Sequence, residues 1–347
     1  MTIYEFDPIR DPRWRQLLQQ HPEACVFHTP AWLQALKDTY RYEAVGITTT
    51  EPGLPLKNGL VFCRVKSWLT GSRLVSLPFS DHCQPLTDSE SDMTAFLNYL
   101  EMQFTSGKWK YVELRLLDCK VPEEGPPFEE SASFCLHKLD LRPTIAELHQ
   151  RMERSSIRRP LRVAEREGLT IEWGRSESLL HKLLGLLMLA RQRHHVPPQP
   201  LEWFQNLIRN FNEDLTIWIV SANGHPAAGL LTLQFKNDIV FKHSGSDATF
   251  HNLGSVPFLY FTALRDAQKR DATCLDFGRS ELDNAGLLRF KDHWGASRIP
   301  LNYYRLARNS ASLAWHPRGM GLAQRVFSSL PKPFLTAAGR LLYRHIG

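Results

Sequence analysis

Thr273-Cys274-Leu275-Asp276-Phe277-Gly278-Arg279-Ser280 is followed, five residues on, by Gly286-Leu287-Leu288-Arg289-Phe290-Lys291-Asp292-His293-Trp294-Gly295-Ala296, and then by Pro300-Leu301-Asn302-Tyr303. The first five positions read as a buried strand. Gly278 has the backbone freedom for a sharp turn where the chain leaves the sheet, and a short helix with one Phe-Lys pair follows. Strand exits of this kind are where open α/β sheets place ligand chemistry. Asp-Phe-Gly is also a protein-kinase tripeptide, but no Gly-rich nucleotide loop, His-Arg-Asp loop or strand lysine accompanies it. A lone helix lysine is by default a solvated one. The whole string moves Lys291 off that default.

Upstream of the string, Thr144 is placed to cap a helix that Pro160 breaks or kinks. A short strand is expected over Leu169–Trp173, a helix with a broad apolar face over Glu177–Arg193, and a shorter helix from Leu201. Three strands follow, Leu215–Ala222, Ala227–Phe235 and Ile239–Ser246, joined by hairpin signals at Asn223-Gly224 and Lys236-Asn237-Asp238. A helix over Val256–Arg270 leads into the Thr273–Phe277 strand, the Leu287–His293 helix and a last strand over Ile299–Leu306. The first half repeats this order loosely. Strands are expected at Glu43–Thr49, Leu60–Val65, Arg73–Leu77, Trp109–Leu117 and Phe134–Leu141, with a helix at Met93–Phe104. No residue-level repeat is visible. The joint falls near Leu141-Arg142-Pro143, and halves of this size are expected to pack together around a shared cleft.

The string and the element order resemble the FemAB-like branch of the GNAT acyltransferase superfamily. The nearest resemblance is to FemAB-related proteins of exopolysaccharide and exosortase (PEP-CTERM) systems, through Asp276–Ser280, Phe290-Lys291 and the tail segment Leu330-Pro331-Lys332-Pro333 with Gly339. It is strongest from Ile239 to Tyr303 and weak in the first half, where Phe27–Trp32 and Leu77–Cys83 carry it. The resemblance implies an α+β fold: two tandem GNAT-like domains, each a mixed, mostly antiparallel sheet flanked by helices, plus a basic helical C-terminal tail. The expected boundaries are 1–142 for an acceptor-side domain, 143–306 for a donor-side, catalytic domain and 307–347 for the tail.

An acyltransferase needs few side chains: it aligns an amine with an activated carbonyl and stabilises the charge that develops. The resemblance gives that charge-stabilising role to Lys291 and an acyl-walling role to Phe290. The plainer reading of Lys291 is an ion pair with Asp292 or Asp276. Arg279 can offer a guanidinium fork to phosphate or carboxylate, or a salt bridge to Glu281. His243, Ser244 and Asp247 end the strand where such folds splay their sheet, and Asp247 or His243 is the candidate base. His28, Asp81 and His82 are candidates for lining an acceptor cleft. Trp32 is read first as a core residue and is kept in the substrate-binding set, which Trp294 and Tyr303 complete. His251–Ser255 precedes a helix N-terminus suited to an anion. It holds one glycine, where GNAT enzymes using coenzyme A carry Gln/Arg-x-x-Gly-x-Gly/Ala. The departure fits FemAB-like enzymes, which take an amino acid from aminoacyl-tRNA.

The formal net charge is +6. Arg308, Arg318, Arg325, Lys332, Arg340 and Arg344 account for all of it, with no acidic residue after Ala307, so a localised anionic partner is expected. Phe334, Leu335, Ala338, Leu341, Leu342 and Ile346 recur at helical spacing, either as a membrane-facing stripe or as packing on the protein's own body. The six cysteines lack Cys-x-x-Cys spacing, and His194-His195 is an isolated pair, so neither a disulfide framework nor a metal site is expected. No secretory signal or spanning helix is read, giving a cytoplasmic expectation with peripheral contact at the inner membrane face.

The functional expectation is an acyl- or aminoacyltransferase acting on an amine or hydroxyl of a peptidoglycan or exopolysaccharide precursor. It has no bound cofactor, and its donor is aminoacyl-tRNA or acyl-CoA. A coenzyme-A-dependent GNAT N-acetyltransferase and a non-catalytic precursor-binding scaffold are the alternatives.

Overall fold

A computed structural model of the chain describes residues 1–107, 109–122, 125–193, 198–308 and 343–345. Its elements begin with β1 (Tyr4–Phe6), α1 (Pro12–Gln20), α2 (Pro30–Tyr40), β2 (Glu43–Thr48), β3 (Leu60–Val65) and β4 (Ser72–Val75). Next come α3 (Glu90–Ser106), β5 (Trp109–Leu117), β6 (Glu129–Asp140), α4 (Ile145–Arg151), a π-helical turn (Arg154–Arg158) and α5 (Arg159–Arg166). Then follow β7 (Thr170–Gly174), α6 (Glu177–Arg193), α7 (Leu201–Phe211), β8 (Leu215–Ala222), β9 (His225–Phe235) and β10 (Asp238–Ser246). The last are α8 (Ser255–Lys269), β11 (Cys274–Glu281), α9 (Ala285–Asp292) and β12 (Ser297–Ala307). The fold is α+β, with mixed sheets flanked by helices.

The chain divides into two units, which among the described residues are 1–134 with 300–308 and 343–345, and 135–299. In the first unit the strand order is β1-β2-β3-β4-β5-β12-β6. β4 and β5 are parallel, and β12 runs antiparallel to β5 with Arg305 opposite Glu113. Apolar side chains of β2, β3, β5 and α3, among them Ile47, Phe62, Leu114, Phe96 and Leu100, form its core. In the second unit the order is β6-β11-β10-β9-β8-β7. Boundaries at 142 and 306 would keep β6 in the first unit and β12 in the second. Instead β12 pairs with β5 from Leu301 onward, and residues 135–140 of β6 belong to the second unit. Both strands are long, and a strand's own residues do not say which sheet it completes, because pairing is decided by tertiary contacts.

Local signals account for the rest. Thr144 and Glu147 form a capping box at the start of α4, each side chain bonded to the other's backbone amide. Pro160 lies in the first turn of α5 and ends the π-helical turn before it. Asn223 and Gly224, with φ of 51° and 78°, make the tight turn between β8 and β9. The tail stripe, Phe334 to Ile346, lies wholly outside the described residues, which in the tail beyond Arg308 are 343–345 alone. Tyr343 and His345 are buried in the first unit, where the Tyr42 hydroxyl donates to the Tyr343 carbonyl at 2.9 Å and Arg73 donates to that of His345 at 2.6 Å. Among the described residues no helix is long and apolar enough to cross a membrane, and no group of His, Cys, Asp or Glu is arranged to hold a metal ion.

Candidate functional site

β10 and β11 pair in parallel through three residues each, Asp238–Val240 with Cys274–Asp276. Beyond them β10 continues along β9, and the two strands part. At the fork β11 passes through Gly278 at φ +72° and then resumes as far as Glu281, so the expected exit after Phe277 is a kink within the strand. Two side chains hold that kink. The buried Asp276 carboxylate accepts the Gly278 amide at 2.6 Å. Lys291, 5 % exposed, donates its ammonium to the carbonyls of Gly278 at 2.7 Å and Arg279 at 3.2 Å. A cation is thereby kept out of water at the mouth of the fork, where it can act on charge developing nearby.

The wall beside it is aromatic. Phe290 meets Tyr260 and Trp294 edge-on, at 5.7 and 6.2 Å between centroids, and Tyr260 stacks on Phe277. Trp294 is fully buried in this cluster. Tyr260, from α8, also donates its hydroxyl to Ser244 Oγ at 2.9 Å, which ties the β10 side of the fork to the same cluster. Asp292 is engaged elsewhere. It binds the Arg298 guanidinium at 2.6 Å and accepts from His137 at 3.2 Å. Arg298 chiefly, with His137 adding, holds its carboxyl below the usual range against the opposing effect of burial. Burial, then the nearby Lys291 charge, push His137 below the ordinary imidazole range, so it stands neutral at pH 7 and donates through Nε2.

Asp247 is a poor base. Its carboxylate caps the turn before α8, accepting the Thr249 amide at 2.9 Å and hydroxyl at 2.8 Å, and those bonds hold its pKa below the carboxylate norm. The Arg279 guanidinium stands 4.0 Å from Glu281, the salt-bridge arrangement, while its carbonyl serves Lys291. His243 packs edge-on against Phe204 of α7 at 5.1 Å.

At the start of α8, Gly254 has φ +73°, and a Cβ there would lie 2.2 Å from the Pro160 carbonyl oxygen. Pro257 in the first turn supplies no amide. Gly254→Ala is expected to cost about 2–5 kcal/mol, combining ~1–2 for a left-handed alanine with ~1–3 for overpacking. An unchanged urea midpoint would show instead that the Pro160 segment gives way.

The first-unit candidates form an internal network. His28 Nδ1 lies 3.1 Å from the Cys25 amide and 3.2 Å from its thiol, and Nε2 donates to the Gln84 carbonyl at 2.9 Å. His82 bonds the Gln84 side chain at 3.2 Å. His82 and the fully buried Trp32 both meet Phe27 edge-on, at 5.5 and 4.9 Å. The Tyr303 hydroxyl donates to the Asp81 carbonyl at 2.7 Å, and its ring lies under the Arg115 guanidinium at 4.9 Å. The structure thus gathers Lys291, Phe290, Trp294 and Ser244 around the fork in the second unit, and His28, Trp32, Asp81, His82 and Tyr303 in the first. Sequence reasoning missed Tyr260 and His137. The aromatic run Phe258-Leu259-Tyr260-Phe261 was a signal for the former. Nothing local marks His137, whose position depends on β6 joining β11.

Residues 151–292 match the family described as an acetyltransferase (GNAT) domain. No curated protein matches the chain. Among solved structures, FemX is similar over 93 % of this chain and 100 % of its own, at 13 % identity and a TM-score of 0.66. L-PGS from Bacillus licheniformis is similar over 92 % and 98 %, at 16 % identity and a TM-score of 0.57. A tandem GNAT protein from the clavulanic acid biosynthesis pathway is similar over 89 % and 98 %, at 10 % identity and a TM-score of 0.53. At these identities the likeness is one of fold.

Proposed function

We propose that this chain, whose residues 151–292 match a GNAT acetyltransferase domain and whose fold is similar to that of FemX, is a FemAB-like transferase that passes an aminoacyl group to an amine or hydroxyl of a cell-envelope precursor. The observation that carries this reading is the buried Lys291 ammonium held at the β10–β11 fork beside an aromatic wall. The acceptor nitrogen or oxygen attacks the ester carbonyl carbon, the bond to the leaving oxygen breaks, and the acceptor's proton ends on that oxygen. Lys291 stabilises the negative charge that builds up on the way, Phe290 shapes the acyl pocket, and Arg279 grips an anionic part of a substrate.

The start of α8 favours an aminoacyl-tRNA donor over acyl-CoA. A pyrophosphate is held at a helix N-terminus by several free amides. Here Gly254 presses on the Pro160 carbonyl and Pro257 removes one donor from the first turn. The envelope acceptor is suggested by FemX and L-PGS, the similar folds. Titration calorimetry with aminoacyl-tRNA and with acetyl-CoA tests the donor. Saturable heat is expected with the first and none with the second, and the reverse pattern returns the protein to the coenzyme-A-dependent N-acetyltransferases.

A further inference from the structure

A second feature of the 135–299 unit lies on the opposite face of its sheet. Along β10, the register against β9 slips between Phe241 and His243, leaving Lys242 as the extra residue of a bulge. The bulge reverses the alternation of side chains. Phe241 packs on Tyr260 and Phe277, whereas His243, two residues on, turns to Phe204 of α7. Residues i and i+2 of a regular strand share a face, so without the extra residue His243 would lie with Phe241. Gly245 keeps the new face close to α6, since a Cβ there would stand 2.7 Å from the Leu186 backbone.

Between α6, α7 and β10 this packing leaves a cavity of about 170 Å³. Leu187, Met188 and Phe204 make its apolar wall, and Arg191, Gln199 and His243 bring polar groups to it. It is smaller than the roughly 300–1,000 Å³ of a pocket for a whole drug-sized ligand. It suits a short chain. Arg191 is half-buried and, among the described residues, makes no hydrogen bond or ion pair. Gln199, 8 % exposed, likewise has no hydrogen-bond partner for its amide among them. Neither side chain is sealed from water, so an anion entering the cavity can reach both, with the guanidinium fork matching a carboxylate.

We propose that this cavity is a binding site for a short aliphatic carboxylate, its chain against Leu187, Met188 and Phe204 and its acid group on Arg191 and Gln199. The site rests on the second unit alone and stands whether or not the transferase reading holds.

Hexanoate and hexan-1-ol are the probes, titrated at neutral pH into protein carrying 13C-methyl methionine, with Met188 assigned by a Met188→Leu variant. Hexanoate is expected to shift the Met188 methyl saturably and to bind about tenfold or more tighter than the alcohol, as a charge-assisted contact implies. Arg191→Met, which keeps the stem and loses the charge, should bring hexanoate down to the alcohol's level. Met188→Trp, which fills the cavity, should abolish binding of both. No saturable shift with hexanoate overturns the site. Equal binding of acid and alcohol, or full binding by Arg191→Met, overturns the carboxylate assignment. If either variant fails to fold, the acid-against-alcohol comparison on the wild type decides.

Discussion

Lys291→Met is expected to slow transfer about 100- to 1000-fold, the usual loss when one charge-stabilising donor is removed from a transition state. Methionine preserves the buried stem, so the comparison isolates the ammonium. The ammonium also has a structural task, because it pins the Gly278 and Arg279 carbonyls across the kink in β11. Hydrogen bonds to a charged group contribute about 1.5–3 kcal/mol each, so a lower unfolding midpoint should accompany the lost rate. The two effects separate at a temperature where the variant remains folded. A catalytic lysine then leaves a deep kinetic defect, and a purely structural one leaves near wild-type turnover.

Glu113→Gln is expected to destabilise the first unit by about 3–5 kcal/mol, the cost of removing one partner from a buried ion pair. Glu113 is buried on β5. Its Oε1 accepts two bonds from Arg115, at 3.0 and 2.9 Å, and its Oε2 two from Arg305 on β12, at 2.8 and 2.6 Å. Glutamine keeps the shape but leaves two buried guanidiniums without their shared counter-charge. Burial alone would raise the Glu113 pKa, yet Arg115 and Arg305 together outweigh it and hold the carboxyl below its ordinary value of 4.5. The folded chain therefore binds this proton less readily than the unfolded chain. That stabilisation is complete above the ordinary value and drains away as the pH falls through it toward the lowered one. Glutamine has no such proton, so the gap between wild type and variant should narrow in acid. Urea midpoints of both proteins at about pH 7 and about pH 4 measure this. A gap that is small at neutral pH, or that widens in acid, contradicts the assignment.

What the sequence made legible is what local chemistry determines. α6 occupies the expected Glu177–Arg193 because its apolar periodicity runs the whole length, and the Thr144–Glu147 capping box starts α4 where the signal stood. α1, α2 and β1 went unread as elements, although Trp32, read as a core residue, is indeed buried on α2. The crossing of β6 and β12 between units was hidden because strand pairing is a tertiary choice. Polar residues posed the opposite problem. His28 and His82 look like site residues in one dimension, yet the Gln84 carbonyl and side chain take them up once the chain is folded, and Asp81 offers its backbone carbonyl to Tyr303. Lys291 was readable from its motif. Its backbone partners were not, since they depend on Gly278 bending within the strand and not at its end.

The most direct test of the account uses the purified protein, an aminoacyl-tRNA carrying a radiolabelled amino acid, and a lipid-linked peptidoglycan precursor with a free amine. The account predicts that label passes to the precursor as deacylated tRNA accumulates, and that Lys291→Met carries far less of it in the same time. Transfer from acetyl-CoA in place of the tRNA would contradict the donor. A precursor that binds while no label moves from either donor would contradict catalysis itself and leave a protein that only holds the precursor.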